Sequence, residues 1–316
     1  MMATMEVHRG IARIWRLSGA EFSRARGITS GVPCLVMAVV LAFAAGRAVG
    51  AAVSAADSDA YDATSSRAAR QNAQEAIPYA RLDPQAQAKV RSVLADVTFF
   101  RRLPIRQIQC DPEFYLFLVQ HPDVVVNIWK LFGIDQLSLE EIATSQYRFQ
   151  DGEGTTGTIE YLYSSADTHL VYGEGTYEGP VLARPVRGKI VLLLKSGFVV
   201  EPDGRYLVTT RVDAFLQVDR SAIEVLTKAF HPLVGKVADI NFIQTTAFVE
   251  SLSRTAESDP SGVGHLAGKL SQIRPEVRQQ FADLSARLAR KSAERNRPLP
   301  LGRSTLTAQA QDAARR

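Results

Sequence analysis

Cysteine is nearly absent from this chain, which limits the covalent chemistry available to the fold. Only two of its 316 residues are cysteines, Cys34 and Cys110. Cys34 lies near the start of an apolar run that has the marks of a removable signal, so Cys110 would have no partner for an internal disulfide. A lone thiol between Ile108 and Phe114 is typical of a small buried hydrophobe rather than a nucleophile.

Histidine is also scarce, and the motifs of the common metal and catalytic sites are missing. None of the five histidines has a His, Cys, Asp or Glu partner at a metal-ligand spacing on one element. No HExxH, GxSxG, Walker or CxxC motif occurs in the sequence. The sequence therefore predicts no catalytic residue, no metal site and no cofactor, and no residues recommend an enzyme.

His169 stands on a predicted strand that also carries polar side chains. Tyr172 and Glu174 follow it on one predicted strand, and Glu160, Tyr161 and Tyr163 lie on the strand before it. These side chains could converge across a sheet into a catalytic cluster. A half-exposed strand face predicts the same residue types, so the pattern does not distinguish the two.

Long hydrophobic runs are absent except near the start, where residues 32–45 read VPCLVMAVVLAFAA. Five arginines precede this run, and the small-residue stretch AVGAAVSAA follows it. A basic region, a short apolar region and a cleavage site made of small residues are the marks of a secretory signal. Because a spanning helix needs about 20 apolar residues, we predict a cleaved signal over 1–55.

An uncleaved anchor is the alternative, because residues 48–56 are also apolar and a helix over 32–56 would contain only one charge, Arg47. In both cases we predict an exported protein of the periplasm or cell envelope. Membrane contact would come only from this segment or from the basic C-terminal tail.

The net charge of +4 does not indicate a nucleic-acid partner. All of it lies in residues 1–47, so the remaining chain is neutral overall. Within that remainder, 48–261 is acidic and 262–316 is basic. An acidic body with a basic tail is unlike a nucleic-acid groove, and the tail is typical of a solvated basic helix.

The start of the mature chain contains a weak element and then a clear helix signal. Residues 56–82 are polar and rich in Ala and Ser, which predicts a linker or a weak helix. Asp83-Pro84 is an N-cap followed by proline at the first helical position. It predicts a docking helix over 84–97, the first element of a domain predicted over 83–258.

The centre of the chain has a distinctive order of elements. A strand at 104–110 precedes two short helices, the second of which carries Trp129. Five strands follow, at 138–150, 156–165, 169–178, 187–200 and 205–218, separated by turn-forming residues. With no helices between them, they predict an antiparallel sheet. Residues 238–257 then predict a long amphipathic helix.

This order resembles the helix-grip fold of the START and Bet v 1-like superfamily over about 104–257. The resemblance rests on the element order, on the short helix pair and on the closing helix. It implies an α+β fold in which a curved antiparallel sheet grips the long C-terminal helix and encloses an apolar cavity, here with extra helices at both ends. Functions in that superfamily range from lipid carriage to cyclisation and hydrolysis, so the fold alone does not decide the function.

Aromatic rings and helix hydroxyls are the candidates for lining such a cavity. We predict that it is lined by Trp129, Tyr161, Tyr163, Tyr172, Phe215, Thr245 and Phe248. The same rings could instead fill a solid core, and the threonines could bond to the helix backbone. The strand KIVLLLK, at 189–195, is apolar without alternation and is predicted to be buried on both faces.

The C-terminal region predicts further helices. Residues 262–297 carry a stripe of apolar residues at helical spacing: Leu266, Leu270, Ile273, Val277, Phe281, Leu284 and Leu288. Pro275 interrupts the stripe, which favours two helices over one rod. The stripe could dock on the domain or mediate self-association, and 298–316 predicts a disordered tail.

Two functional hypotheses follow. The first is a non-enzymatic binding module, with an apolar small molecule such as a lipid in the helix-grip cavity. The second is an interaction or scaffold protein of the cell envelope, with a filled core and the 262–297 helices as its contact surface. Cavity volume distinguishes them, because pockets for such ligands measure about 300 Å³ or more.

Overall fold

A computed structural model describes residues 62–134, 136–178, 185–219 and 231–297. The predicted signal at 1–55 and the predicted tail at 298–316 lie outside the described residues. Among the helices within those four ranges, none is long and apolar enough to cross a membrane.

Two helices begin the described chain. Helix α1 covers Arg67–Glu75 and is capped by the Ser66 hydroxyl, and α2 covers Pro84–Leu94 and is capped by the Asp83 carboxylate. A single 3₁₀ turn, Tyr79–Arg81, lies between them. Part of the stretch predicted as a linker or weak helix is thus an ordered helix, because α1 packs its small residues onto the sheet.

Two short strands and two short helices come next. Strands β1 (Phe99–Arg102) and β2 (Arg106–Gln109) both pair with the last strand of the sheet. Helices α3 (Pro112–Gln120) and α4 (Pro122–Leu131) each begin at a proline, where the missing N–H costs nothing. The change of direction between them falls at His121.

The remaining strands run in chain order across the sheet. They are β3 (Ser138–Ala143), β4 (Gln146–Gln150), β5 (Thr155–Ser164), β6 (Thr168–Tyr177), β7 (Val186–Val200) and β8 (Tyr206–Val218). All pair antiparallel, in the order β1-β8-β7-β6-β5-β4-β3. This eight-stranded sheet with its flanking helices confirms the predicted α+β class.

One predicted strand, 138–150, is in fact a hairpin. The chain reverses between β3 and β4 at Ser145, which has a left-handed backbone with φ of 60°. Neither glycine nor asparagine stands at this turn, so the usual sequence signal for a reversal is missing.

Both faces of the sheet are covered. On β7, Ile190, Leu192 and Leu194 face one hydrophobic cluster, and Val191 and Leu193 face another. This confirms the prediction that KIVLLLK is buried on both sides. The second cluster contains α1 and α2, so we call its side the N-helix face and the opposite side the α5 face.

Three helices end the described chain. Helix α5 covers His231–Ser258 and begins seven residues before the predicted start, and α6 (Pro260–Lys269) and α7 (Pro275–Arg295) follow. The seven residues of the apolar stripe are each no more than 6% exposed and belong to the core on the α5 face. The stripe packs within the chain, so it does not form an exposed surface for self-association.

Candidate functional site

An apolar cavity of about 60 Å³ lies between α5 and the sheet. Thirteen residues line it: Leu103, Ile108, Tyr115, Val119, Val171, Leu192, Leu194, Thr210, Val212, Phe242, Thr245, Thr246 and Val249. No charged side chain is among them. A cavity with such walls favours an apolar occupant and does not hold water well.

Strand register builds the sheet wall of the cavity. Val171 stands opposite Leu192, and Leu194 stands opposite Val212. Because residues directly opposite each other, and residues two apart on one strand, share a face, these four side chains form one continuous apolar patch.

Helix α5 provides the opposite wall through Phe242, Thr245, Thr246 and Val249. Their spacing of three or four residues places them along one side of the helix. The Thr246 hydroxyl donates to the carbonyl oxygens of Phe242 and Ile243, at 3.0 and 2.9 Å. That hydroxyl therefore serves the helix backbone, and it also accepts from the Arg106 guanidinium at 3.4 Å.

A cluster of hydroxyl groups lies at the edge of the cavity. The Tyr115 hydroxyl is 2.9 Å from the Ser196 hydroxyl and donates to that of Thr210 over 3.0 Å. Burial raises the pKa of Tyr115 above its ordinary value of 10, so its hydroxyl remains a proton donor well above neutral pH. The cluster is the polar part of an otherwise apolar site, and Tyr115 was not among the predicted cavity residues.

His169 stands beside the cavity wall on the same face of the sheet. It lies directly opposite Leu194 and two residues before Val171. Its side chain is 0% exposed, and neither ring nitrogen has a hydrogen-bond partner. Burial lowers the pKa of His169 to about 4, so the ring is neutral at physiological pH.

Only Thr245 among the seven predicted cavity residues lines this cavity. Trp129 and Phe248 lie on the α5 face but pack against each other edge-to-face, with ring centroids 5.6 Å apart. Tyr161 is also on this face, where its hydroxyl donates to the Val119 carbonyl at 2.5 Å. These three rings fill core beside the cavity rather than its wall.

The other three predicted residues, Tyr163, Tyr172 and Phe215, lie on the N-helix face. Phe215 packs there against Phe100, with centroids 5.1 Å apart. Tyr163 and Tyr161 lie on opposite faces of the sheet because a β-bulge shifts the register between them. Simple alternation would have placed both tyrosines on one side.

Of the residues predicted to converge on His169, Tyr161 contacts its ring edge-on, with centroids 6.4 Å apart, whereas Glu160 pairs with Lys89. Tyr172 and Glu174 bond to each other, with the Tyr172 hydroxyl donating to the carboxylate at 2.8 Å. Tyr172 and Glu174 come three and five residues after His169. Residues separated by an odd number of positions on a strand face opposite ways, so that pair stands on the opposite side of the sheet from His169. No group of three or more His, Cys, Asp or Glu residues suited to a metal occurs in the described ranges.

A second buried polar group lies under the turn between α3 and α4. The Asp123 carboxylate is buried with one oxygen lacking a hydrogen-bond partner. Its pKa is raised to about 6, mainly by burial and secondly by the nearby Glu141 carboxylate. Arg274 opposes these effects and forms a bidentate ion pair with Glu141, at 2.7 and 3.1 Å.

Comparisons with known proteins identify no family. No family model matches the chain, and no curated protein matches it. Among solved structures, a conserved protein from Geobacillus kaustophilus is similar at 13% identity, covering 47% of this chain and 93% of that one, with a TM-score of 0.35. A hypothetical protein from Helicobacter pylori is 13% identical, covering 48% and 88%, with a TM-score of 0.30.

Dicamba monooxygenase bound to dicamba is a further similar structure. It is 12% identical to this chain, covering 69% of this chain and 64% of that one, with a TM-score of 0.29. Similarities this weak carry no argument about function. The function has to be argued from the cavity and its walls.

Proposed function

We propose that this protein is a non-enzymatic binding module that holds one apolar small molecule between α5 and the sheet. The arrangement would be the helix-grip arrangement of START and Bet v 1-like proteins. The observation that carries the proposal is the uncharged, mainly apolar cavity, with walls from β6, β7 and β8 on one side and from α5 on the other. Burial of apolar surface is the force that would hold the ligand.

The size of the cavity sets a condition on the ligand. An apolar cavity of about 150 Å³ is enough for benzene, whereas this one measures about 60 Å³. A ligand of ordinary size therefore requires α5 to move away from the sheet. Both amide atoms of Asn241 on α5 are buried without partners, and such groups make a closed arrangement less stable.

The second candidate is a scaffold protein of the cell envelope with a filled core. The small cavity volume favours it, because about 60 Å³ is well below the range of ordinary ligand pockets. Its contact surface would be the outward side of α6 and α7, since their apolar stripe is buried in the chain. Export to the envelope is a proposal common to both candidates.

Titration with an apolar fluorescent probe, N-phenyl-1-naphthylamine, tests the first proposal. Val249→Phe fills the cavity from α5, and Ala247→Phe adds the same ring on the exposed side of the same helix. We expect wild type and Ala247→Phe to bind one probe per chain, and Val249→Phe to bind about tenfold more weakly or not at all.

Two results would contradict the binding proposal. Absence of probe binding by the wild type would leave the scaffold candidate. Equal binding by all three proteins would mean that the probe attaches to the surface and not to the cavity.

A further inference from the structure

Arg106 of β2 is a cation at the rim of the cavity. It comes two residues before Ile108 and stands directly opposite Thr210 of β8, so the three side chains share the α5 face of the sheet. Ile108 and Thr210 both line the cavity. A third lining residue, Thr246, accepts a hydrogen bond from the Arg106 Nε–H at 3.4 Å. Arg106 itself is half-buried, so its guanidinium lies where the cavity wall meets the surface.

The edge strands are also tied to α5 on either side of Arg106, and both of those ties use a carboxylate. Arg101 of β1 forms a bidentate ion pair with Asp239. The backbone N–H of Gln109 donates to the Glu250 carboxylate at 3.3 Å. Arg106 lies between Arg101 and Gln109 in the chain and meets only a neutral hydroxyl, so the tie beside the cavity is the one without an acid.

The Arg106 guanidinium has bonding capacity that the described residues do not use. Within those residues no acidic side chain lies at ion-pair distance from it. Its bond to Thr246, at 3.4 Å, is longer than the usual N–H···O distance of about 2.7–3.2 Å. A guanidinium presents a planar fork of N–H donors, and a carboxylate matches that fork with two parallel hydrogen bonds.

We infer that the ligand of this cavity is an apolar monocarboxylate, whose carboxylate replaces the Thr246 hydroxyl on Arg106 while its apolar body fills the cavity. This inference rests on the proposed binding function and names the class of ligand. The exchange also releases α5 from β2 beside the cavity, where the helix has to move to admit a ligand.

Charge distinguishes a monocarboxylate from other amphiphiles. Its negative charge stays at the half-exposed rim with a counter-charge, so no ion has to enter the uncharged cavity. A phosphate monoester carries about 1.5 to 2 negative charges, more than one arginine neutralises. An ammonium group would meet a like charge, and an alcohol would leave the guanidinium without a counter-ion.

Octanoate and octan-1-ol test the inference, because they have chains of equal length and differ in the charge of the head group. Calorimetric titration at pH 7 compares wild type with Arg106→Gln, which removes the charge, and Arg106→Lys, which keeps the charge but not the fork. We expect Arg106→Gln to weaken octanoate binding about tenfold or more and to leave octanol binding within about threefold. Arg106→Lys should retain part of the octanoate affinity.

A matched control removes a positive charge elsewhere on the sheet. Arg187, at the start of β7, is exposed, and Arg187→Gln should leave the binding of both compounds unchanged.

Carbon NMR of carboxyl-labelled octanoate gives a second readout, which a general loss of stability would not move. A neighbouring cation lowers the pKa of a carboxyl group, so the bound carboxyl should titrate at lower pH in wild type than in Arg106→Gln. Equal weakening of octanoate and octanol in Arg106→Gln, or the same carboxyl pKa in both proteins, would overturn the inference and leave the binding function standing. Binding of octanol without octanoate by the wild type would do the same. If the wild type binds neither compound, the proposed binding function fails, and the inference fails with it.

Discussion

At the scale of single residues, Trp129 joins α4 to α5. Its side chain is 3% exposed and meets Phe248 edge-to-face. Replacing it with alanine removes that contact and leaves a cavity, so Trp129→Ala should lower the free energy of unfolding by about 3–5 kcal/mol. The neighbouring Lys130 is exposed, and Lys130→Ala should change the free energy of unfolding by less than about 0.5 kcal/mol. Denaturant unfolding measures both. A loss below about 1 kcal/mol for Trp129→Ala would contradict its role in the core.

Asp213 is a buried charge that depends on its partners. It is 0% exposed and accepts from Arg102 at 2.6 Å, with Arg211 at 3.4 Å. Arg102→Met removes the closer cation and leaves the carboxylate buried, so it should cost about 3–5 kcal/mol of stability. Arg205 pairs with Asp203 at the surface, and Arg205→Met should cost at most about 1 kcal/mol. Similar losses in the two variants would show that the Asp213 site is open to water.

Asp123 should make stability depend on pH. Its pKa is about 6 in the folded protein against an ordinary value of 3.8, and burial is the main cause. The native state therefore holds this proton more tightly, and the contribution of Asp123 to stability falls as the pH rises from about 4 to 6. Asp123→Asn should be more stable than wild type by about 1–3 kcal/mol at pH 7, and the gain should shrink towards pH 4. A gain that is the same at both pH values would contradict the raised pKa.

Several site residues could not be found from sequence spacing alone. The burial of Trp129 follows from its place among Val125 and Ile128 on one side of a short helix, and the structure confirms it. The faces of Tyr161 and Tyr163 do not follow, because the bulge between them reverses the alternation. Tyr115 lies in a helix that is apolar almost throughout, so no polar pattern marks it as a residue of the cavity.

At the scale of elements, α7 is part of the core. Its Phe281 stacks on Phe114 and Phe117 of α3, at centroid distances of 5.9 and 5.8 Å. Phe281→Ala should lower the free energy of unfolding by about 3–5 kcal/mol, whereas the exposed Gln280→Ala should leave it within about 0.5 kcal/mol. Denaturation with one transition, seen by both fluorescence and circular dichroism, is expected for both variants. A separate early transition in Phe281→Ala would mean that α6 and α7 unfold as an independent unit.

Elements with strong local signals were predictable, and elements fixed by distant partners were not. Asp83-Pro84 predicts the start of α2 because the cap and the proline act within one helical turn. Strand β1 has only four residues and exists because β8 pairs with it. Helix α1 has mostly exposed polar residues, and only Ala69 and Ala73 are buried. Ala69 and Ala73 do stand four residues apart, as on one side of a helix, but two alanines among polar residues offer little apolar surface to predict docking from.

At the scale of the whole molecule, the sheet separates two hydrophobic layers with different contents. The N-helix face is closed by α1 and α2, and ion pairs tie α2 and β1 to the rest of the domain, including Lys89 with Glu160 and Arg101 with Asp239. The α5 face contains the cavity, the hydroxyl cluster and His169. If this protein binds a small molecule, the α5 face is where the architecture provides a place for it.

Native mass spectrometry of the protein, purified from the cells that make it, tests the central claim most directly. The binding proposal predicts one small molecule per chain in the wild type and none in Val249→Phe, whose added ring occupies the cavity. Ala247→Phe should retain the ligand, because its ring lies on the outer side of α5. A wild-type protein that carries no small molecule, or a bound mass that persists in Val249→Phe, would contradict the proposal that this cavity is a ligand site.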